Sequence, residues 1–436
     1  MKIAKEFEKR RLQLMQMVED DSIIILPTSL EKNRNNDVFH PFRAGSDFMY
    51  LSGFNEPESV LVLIPDREHA EYILFCREKD KVKETWDGYR TGQLSAKSVY
   101  GADDSFPISD IDDILPGLLE NKKRVYYTMG LNLEFDQRLM GWVNSLRHKA
   151  RSGIVIPGEF VAVDHLLHDL RLFKSDQEIK WMKKAAEVSV LAHKRAMQFC
   201  SPGKYEYELE GEIIHTFYQH GCRDSAYPSI VGSGKNGCIL HYTDNDQLLK
   251  DGDLVLIDAG VEYQGYAADI TRTFPVNGKF SHAQKLIYEL VLAAQEAAFK
   301  KIKPGNHWDD PHVEAVKVIT RGLLDLGILK GSLDKLIGDG KYKDFYMHRT
   351  GHWLGLDVHD VGDYKLGGQW REFEPGMTLT VEPGIYIKRN KKLDKKWWDI
   401  GIRIEDDVRV TKGGYEILTQ GLPRTVDEIE ALMAKP

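Results

Sequence analysis

The sequence predicts an α/β domain over residues 1–172, then an α+β domain over residues 173–436 built from two similar halves about a pseudo-twofold axis. Three features predict this. Short apolar runs alternate with amphipathic stretches through the first part of the chain. A helix-start signal at Ser175 and Glu178 then marks a boundary. Beyond it, the order helix, turn, acid-tipped strand occurs twice.

In chain order, residues 5–18 read as a charged amphipathic helix. Ser22 to Pro27 and Ser59 to Pro65 are aliphatic runs ended by proline, as buried strands often are. Ala70 to Cys76 and Arg124 to Thr128 add strands, with helical patterns at 110–120 and 133–147. Ser175 and Glu178 have capping-box spacing, and a long helix is expected from there through Phe199. It ends at Ser201-Pro202-Gly203, and a second Ala-rich helix over 282–302 ends at Lys303-Pro304-Gly305. Each Pro-Gly precedes another helix start, at Glu206 and at Asp309. Gly252 lies six residues before Asp258, and Gly376 six before Glu382. Each half therefore delivers a strand that ends on an acid, and the pseudo-twofold brings both acids to one centre.

A chain of 436 residues, 42% hydrophobic and 29% charged, is an ordinary soluble globular composition with room for several cores. A net charge of −8 without a long basic block argues against nucleic acid as a partner. No apolar run approaches the ~18 residues of a membrane span. The charged stretch Met1 to Arg10 does not read as a signal peptide. Cys76, Cys200, Cys222 and Cys238 form no CxxC pair and read as reduced thiols of a cytoplasmic protein.

Five potential metal ligands follow one another in the second domain: Asp258, Asp269, His352, Glu382 and Glu405. A carboxylate at the end of an apolar strand is poorly solvated unless a cation or a hydrogen-bond donor meets it. Four carboxylates balance the charge of two divalent ions, which in such hydrolases sit roughly 3.5–4 Å apart and share bridging oxygens. An oxygen-rich set with one imidazole and no thiolate favours manganese, cobalt, iron or zinc. Two such ions activate a hydroxide nucleophile near neutral pH. The reaction then needs oxyanion stabilisation and a proton for the leaving amine.

His241, His348 and His359 crowd the same glycine-flanked segments as the acids. Glu382 is the candidate proton carrier, and His359 the candidate hydrogen-bond donor to the substrate carbonyl. Arg403 lies two residues before Glu405 and shares its strand face; it orients a carboxylate, binds an acidic substrate group, or makes an ordinary salt bridge. Gly232-Ser233-Gly234-Lys235 lacks the GxxxxGK[ST] spacing and reads as a plain loop. The charged stretch 388–396 reads as a solvated hairpin tip, with Trp397-Trp398 as packing residues.

In these motifs the chain resembles the bacterial Xaa-Pro aminopeptidases (aminopeptidase P), metallopeptidases of the pita-bread fold. The segments that carry the likeness are Ile230 to Tyr242, Leu256 to Gly260, Ala268 to Thr273, Met347 to Asp360, Thr380 to Tyr386 and Gly401 to Asp406. In the first domain Arg34 to Asp37 and Phe48 to Pro57 also match, so nearly the whole chain is covered. The resemblance implies two manganese ions, Asp258 chelating one, His352 and Glu382 binding the other, and Asp269 and Glu405 bridging. It assigns His241, His348, His359, Tyr227 and Tyr386 to the substrate site. It implies hydrolysis of the bond between an N-terminal residue and a following proline. It also implies a homo-oligomer, dimer or tetramer, in which Asp37 and Trp86 are presented to a neighbour's site.

Prolidase is the nearest alternative, but the intervals of 30 residues from His352 to Glu382 and 23 from Glu382 to Glu405 leave little room for the insertions that prolidases carry. Methionine aminopeptidases usually lack such an N-terminal domain, and creatinase-like enzymes lack the ligands. A non-catalytic binding protein on the same fold is the remaining alternative; its relatives lose ligand residues, and here all five are present.

Overall fold

The computed structural model describes residues 2–434, and the chain forms two compact units, Met1–Leu170 and Arg171–Pro436. In the first unit a six-stranded mixed sheet runs in the order Asp104–Pro107, Tyr72–Cys76, Val60–Leu63, Ser22–Pro27, Arg124–Tyr126, Glu159–Val161. The four strands expected from apolar runs are its centre. The two edge strands went unread because they are short and hardly buried, with one buried residue in Asp104–Pro107 and none in Glu159–Val161. Ile23, Ile25, Val62 and Phe75 pack with Leu115 and Leu119 of helix Ile111–Leu119 and with Leu139 and Trp142 of helix Leu133–Arg147. The first helix spans Lys2–Met15, starting earlier than its charge pattern suggests.

The second unit opens on helix Asp176–Phe199, whose Ser175 and Glu178 close both arms of the capping box. It packs against helix Glu206–Gln219, and helix His282–Phe299 packs in the same way against Asp310–Asp325. Each helix pair comes with antiparallel strands. The first half gives Ile230–Ser233, Leu254–Asp258 and Thr271–Pro275; the second gives Thr378–Val381, Asp406–Thr411 and Gly414–Ile417. A hairpin, Gly384–Ile387 with Ile400–Arg403, carries the charged stretch at its tip, and Trp397 packs buried beneath it. The amide of Glu405 donates to the carbonyl of Thr271 at 3.0 Å, tying the second half to the first. All four cysteines are buried, and none forms a disulfide among the described residues. No described helix is long and apolar enough to cross a membrane.

Candidate metal centre and substrate cleft

The acid-bearing strands end side by side. Asp258 closes its strand opposite Thr271 and Ile230. Asp269 sits in the turn that enters Thr271–Pro275, Glu382 just follows Thr378–Val381, and Glu405 joins Ile400–Arg403 to Asp406–Thr411. His352 is pressed against Thr378–Val381: a Cβ at Gly351 would stand 2.0 Å from the Thr380 carbonyl oxygen, so only glycine fits. Gly355 is under the same constraint, 2.1 Å from Asp360 Oδ2.

One donor atom from each of Asp269, His352 and Glu405 lies within 4.8 Å of the others. Glu382 Oε1 stands 3.6 Å from His352 Nε2. The Tyr227 hydroxyl is 2.6 Å from Asp258 Oδ1 and 2.5 Å from Asp269 Oδ1, and its single proton serves one of them at a time. All five predicted donors therefore converge. The His352 ring is already oriented: Nδ1 donates to the Trp353 carbonyl at 2.9 Å, which turns Nε2 toward the acids.

Electrostatics set a crowd of acids against few cations. Burial, reinforced by Asp269, Glu382 and Asp258, pushes Glu405 well above the usual carboxylate range. Burial lifts Glu382 to about 7, against the pull of His352 and Arg403. Asp258 is also raised by burial despite Arg403. Burial pulls His352 down, but its bond to Asp269 and the charge of Glu382 prevail and lift it to about 9. The acids outnumber the protein's own cations, and protons make up the difference. Oxygen donors at this density with one oriented imidazole fit divalent ions.

Behind the donors runs a directional hydrogen-bond chain. Arg403 donates to Asp258 Oδ2 at 2.6 Å, to the Tyr386 hydroxyl at 3.0 Å and to Thr271 Oγ1 at 3.0 Å. Thr271 passes its proton to Glu405 Oε2 at 2.6 Å, and Tyr386 donates to His348 Nε2 at 2.8 Å. His348 Nδ1 then donates to the Arg349 carbonyl at 2.7 Å. Burial and the Arg403 charge drop His348 to about 3, so it stays a neutral ring with both nitrogens committed. Asp407, buried, accepts from the Asp269 amide at 3.1 Å. Thr271, Thr380 and Asp407 were not singled out from sequence; Thr271 and Asp407 lie 134 and 138 positions from Glu405 and Asp269, whereas Thr380 stands two before Glu382, a strand spacing that could have found it.

Two buried clusters hold the histidine-bearing loops. Asp360 accepts from Lys174 Nζ at 2.8 Å and Arg171 Nη2 at 2.6 Å, and Arg171 also reaches Asp357 at 2.7 Å. His359 lies between those two acids in sequence, its ring centre 4.3 Å from that of His352. The segment with His241 has little regular structure and is gathered by Glu206. That carboxylate accepts from Ser233 N and Oγ (both 2.7 Å), Asn236 Nδ2 (3.3 Å), the Tyr242 hydroxyl (2.8 Å) and Gln247 N (3.0 Å).

These groups face a cleft of about 890 Å³, lined by His241, His348, His352, His359, the four acids and Arg403, and walled by Trp308, Tyr364 and Trp370. Tyr386 is buried with its hydroxyl between Arg403 and His348, and the Tyr227 hydroxyl meets Asp258 and Asp269. Asp37 and Trp86 are exposed on the N-terminal unit. That unit also holds a separate cavity of about 440 Å³, among whose lining groups are Glu58, Asn132 and Arg138.

Residues 180–412 match metallopeptidase family M24, and residues 7–126 match the aminopeptidase P N-terminal domain. The chain is 46% identical over 432 residues to the Xaa-Pro aminopeptidase of Escherichia coli, covering 98% of this chain and 97% of the relative. It is similar to the structure of Pseudomonas aeruginosa aminopeptidase PepP, with 59% identity, a TM-score of 0.97, and 99% and 98% of the two chains covered. It is likewise similar to the zinc-substituted E. coli aminopeptidase P in complex with product, with 45% identity, a TM-score of 0.96 and coverage of 99% and 98%.

Proposed function

This chain belongs to metallopeptidase family M24, and we propose that it is a metal-dependent Xaa-Pro aminopeptidase, releasing the first amino acid from peptides with proline in second place. The convergence of Asp258, Asp269, His352, Glu382 and Glu405 carries this reading. Asp258 would chelate one ion, His352 and Glu382 the other, with Asp269 and Glu405 shared between them. When bound, two divalent ions, manganese in our reading, supply Lewis acidity and make a water nucleophilic near neutral pH.

The chain's own residues do the rest. Arg403 aligns Asp258 through its 2.6 Å bond and favours its charged form against burial. Glu382 takes the proton of the attacking water and returns it to the proline nitrogen as the amide breaks. His359 donates a hydrogen bond to the carbonyl oxygen as it gains charge. The Xaa-Pro amide has no N–H, so the site needs no acceptor for one, and the His241 and His348 rings flank the pyrrolidine. The substrate's free amine meets the carboxylates of the centre.

In the same reading the catalytic domain spans 173–436 after an N-terminal domain of 1–172. The enzyme is a cytoplasmic homo-oligomer, dimer or tetramer, with no nucleic-acid or membrane partner. Asp37 and Trp86 serve a neighbouring subunit's site, which their exposure permits.

The test is hydrolysis of Xaa-Pro-Yaa by protein loaded with manganese. Release of the first residue is expected. Removing a Lewis acid worth several kcal/mol, Asp269→Asn should cut the rate by roughly a hundredfold or more. The acetylated peptide should be inert, and equal cleavage of it refutes recognition of the amine. Metal binding without cleavage of any Xaa-Pro peptide refutes the reading as a whole.

A further inference from the structure

The cleft is larger than its chemistry requires. Its volume of about 890 Å³ lies at the upper end of small-molecule sites. One small hairpin contributes Lys365 and Trp370 to its wall. Strands Lys365–Leu366 and Gln369–Trp370 pair through a two-glycine turn, with φ of 55° at Gly367 and 84° at Gly368. The register sets Lys365 directly opposite Trp370. The Lys365 ammonium lies 4.3 Å from the Trp370 ring centre, and the Arg349 guanidinium approaches the same ring at 5.1 Å.

The three cations that line the cleft differ in what answers them. Arg403 is bonded to Asp258, and Arg349 is ion-paired with Asp309. Lys365 has the indole but, among the described residues, no carboxylate in ion-pair range. Asp363, two residues upstream, is the lining acid that is not among the metal-ligand candidates. Trp370 is half-buried, a flat apolar platform with the Lys365 charge over its ring and, among the described residues, no carboxylate to answer it.

Resting on the aminopeptidase reading, we propose that the Lys365–Trp370 arm is a subsite for a carboxylate carried by the substrate downstream of its proline. Trp370 receives the apolar part of that residue, and Lys365 pairs with the acid. Two sources supply this chemistry: the free α-carboxylate of a short peptide, or an Asp or Glu side chain in a longer one.

Four peptides separate the sources in the manganese-loaded enzyme: Xaa-Pro-Ala, Xaa-Pro-Ala-amide, Xaa-Pro-Asp-amide and Xaa-Pro-Asn-amide. An exposed ion pair supports a preference of roughly two- to fivefold in KM for acid over neutral partner, fading as salt rises. Xaa-Pro-Ala over its amide reports the α-carboxylate; the aspartyl over the asparaginyl peptide reports the side chain. Lys365→Met should bring whichever ratio is raised to one. Lys365→Glu should invert it and favour Xaa-Pro-Lys-amide, an outcome that lost stability cannot mimic. Asp363→Asn should raise the acid preference further. The proposal is overturned if wild type shows no acid preference in either pair, or if the preference survives Lys365→Met. Cleavage of the amides shows that the aminopeptidase reading stands even where the subsite fails.

Discussion

Glu206 and Glu405 are both buried glutamates of the C-terminal unit, and they are treated in opposite ways. Five protein donors surround the Glu206 carboxylate, shared between its two oxygens. Glu405 receives one threonine hydroxyl and faces three other acids, which with burial push it well above the usual carboxylate range. Glu382 is similar, with only a 3.3 Å bond from Thr380. A buried anion that the protein satisfies by itself is scaffold; one left short of donors among like charges has a place for a cation. Asp258 falls between the two, with a full-strength arginine of its own.

The contrast is broken most strongly at Arg403. Arg403→Met removes what is, among the described residues, the one permanent cation bonded to an acid of the cluster, leaving Asp258 buried without it. Loss of one member of such a pair costs about 3–5 kcal/mol. Urea unfolding of the metal-free variant should show a loss of that size, and added manganese should recover part of it. A loss below about 1 kcal/mol would mean that Asp258 never depended on the arginine, and the contrast would fail.

A pH titration of the metal-stripped protein comes next. Glu382 is raised to about 7, so the folded state holds its proton where the unfolded state, near 4.5, has released it. The folded protein then binds more protons through that window, and its stability falls as pH rises from about 4.5 to about 7. Glu405, raised further, extends the loss to higher pH. The total is of the order of a few kcal/mol. Divalent ions bind the folded state and replace those protons, so the stabilisation they give should grow over the same range. Melting curves with and without manganese at several pH values measure both trends. A metal-free protein that gains stability across that range contradicts the account.

The pattern of what the sequence revealed follows the same division. Asp258, Glu382 and Glu405 were legible because each interrupts or ends an apolar strand, where an unsupported charge is conspicuous. His352 stood out through Gly351 and Gly355, whose backbones must approach Thr380 and Asp360 too closely for any side chain. The central strands and the capped helix at Ser175 were readable from local periodicity alone. The supports were not. Arg171 and Lys174 reach Asp360 across more than 180 positions, and Asp407 meets the Asp269 amide across 138. Such pairs have no period and no local composition, because burial brings them together. Tyr386 and Tyr227 were assigned to substrate by resemblance; their hydroxyls bond His348, Asp258 and Asp269, partners that local sequence does not reveal.

The smallest effect is expected at the scaffold end of the comparison. Glu206→Gln keeps shape and volume but turns an amide N–H₂ toward groups that are themselves donors, the Ser233 amide in one orientation or the Gln247 amide in the other. A buried donor left without an acceptor costs about 1–3 kcal/mol. Because Glu206 gathers the segment that carries His241, KM for Xaa-Pro peptides should rise more than kcat falls. Manganese should stabilise this variant by the same increment as wild type, since the centre is intact. Replacing His241 with alanine should remove most of the KM effect of Glu206→Gln, as expected when one residue acts through another. If the two substitutions raise KM additively, Glu206 does not act through His241, and its five hydrogen bonds serve only to hold the fold.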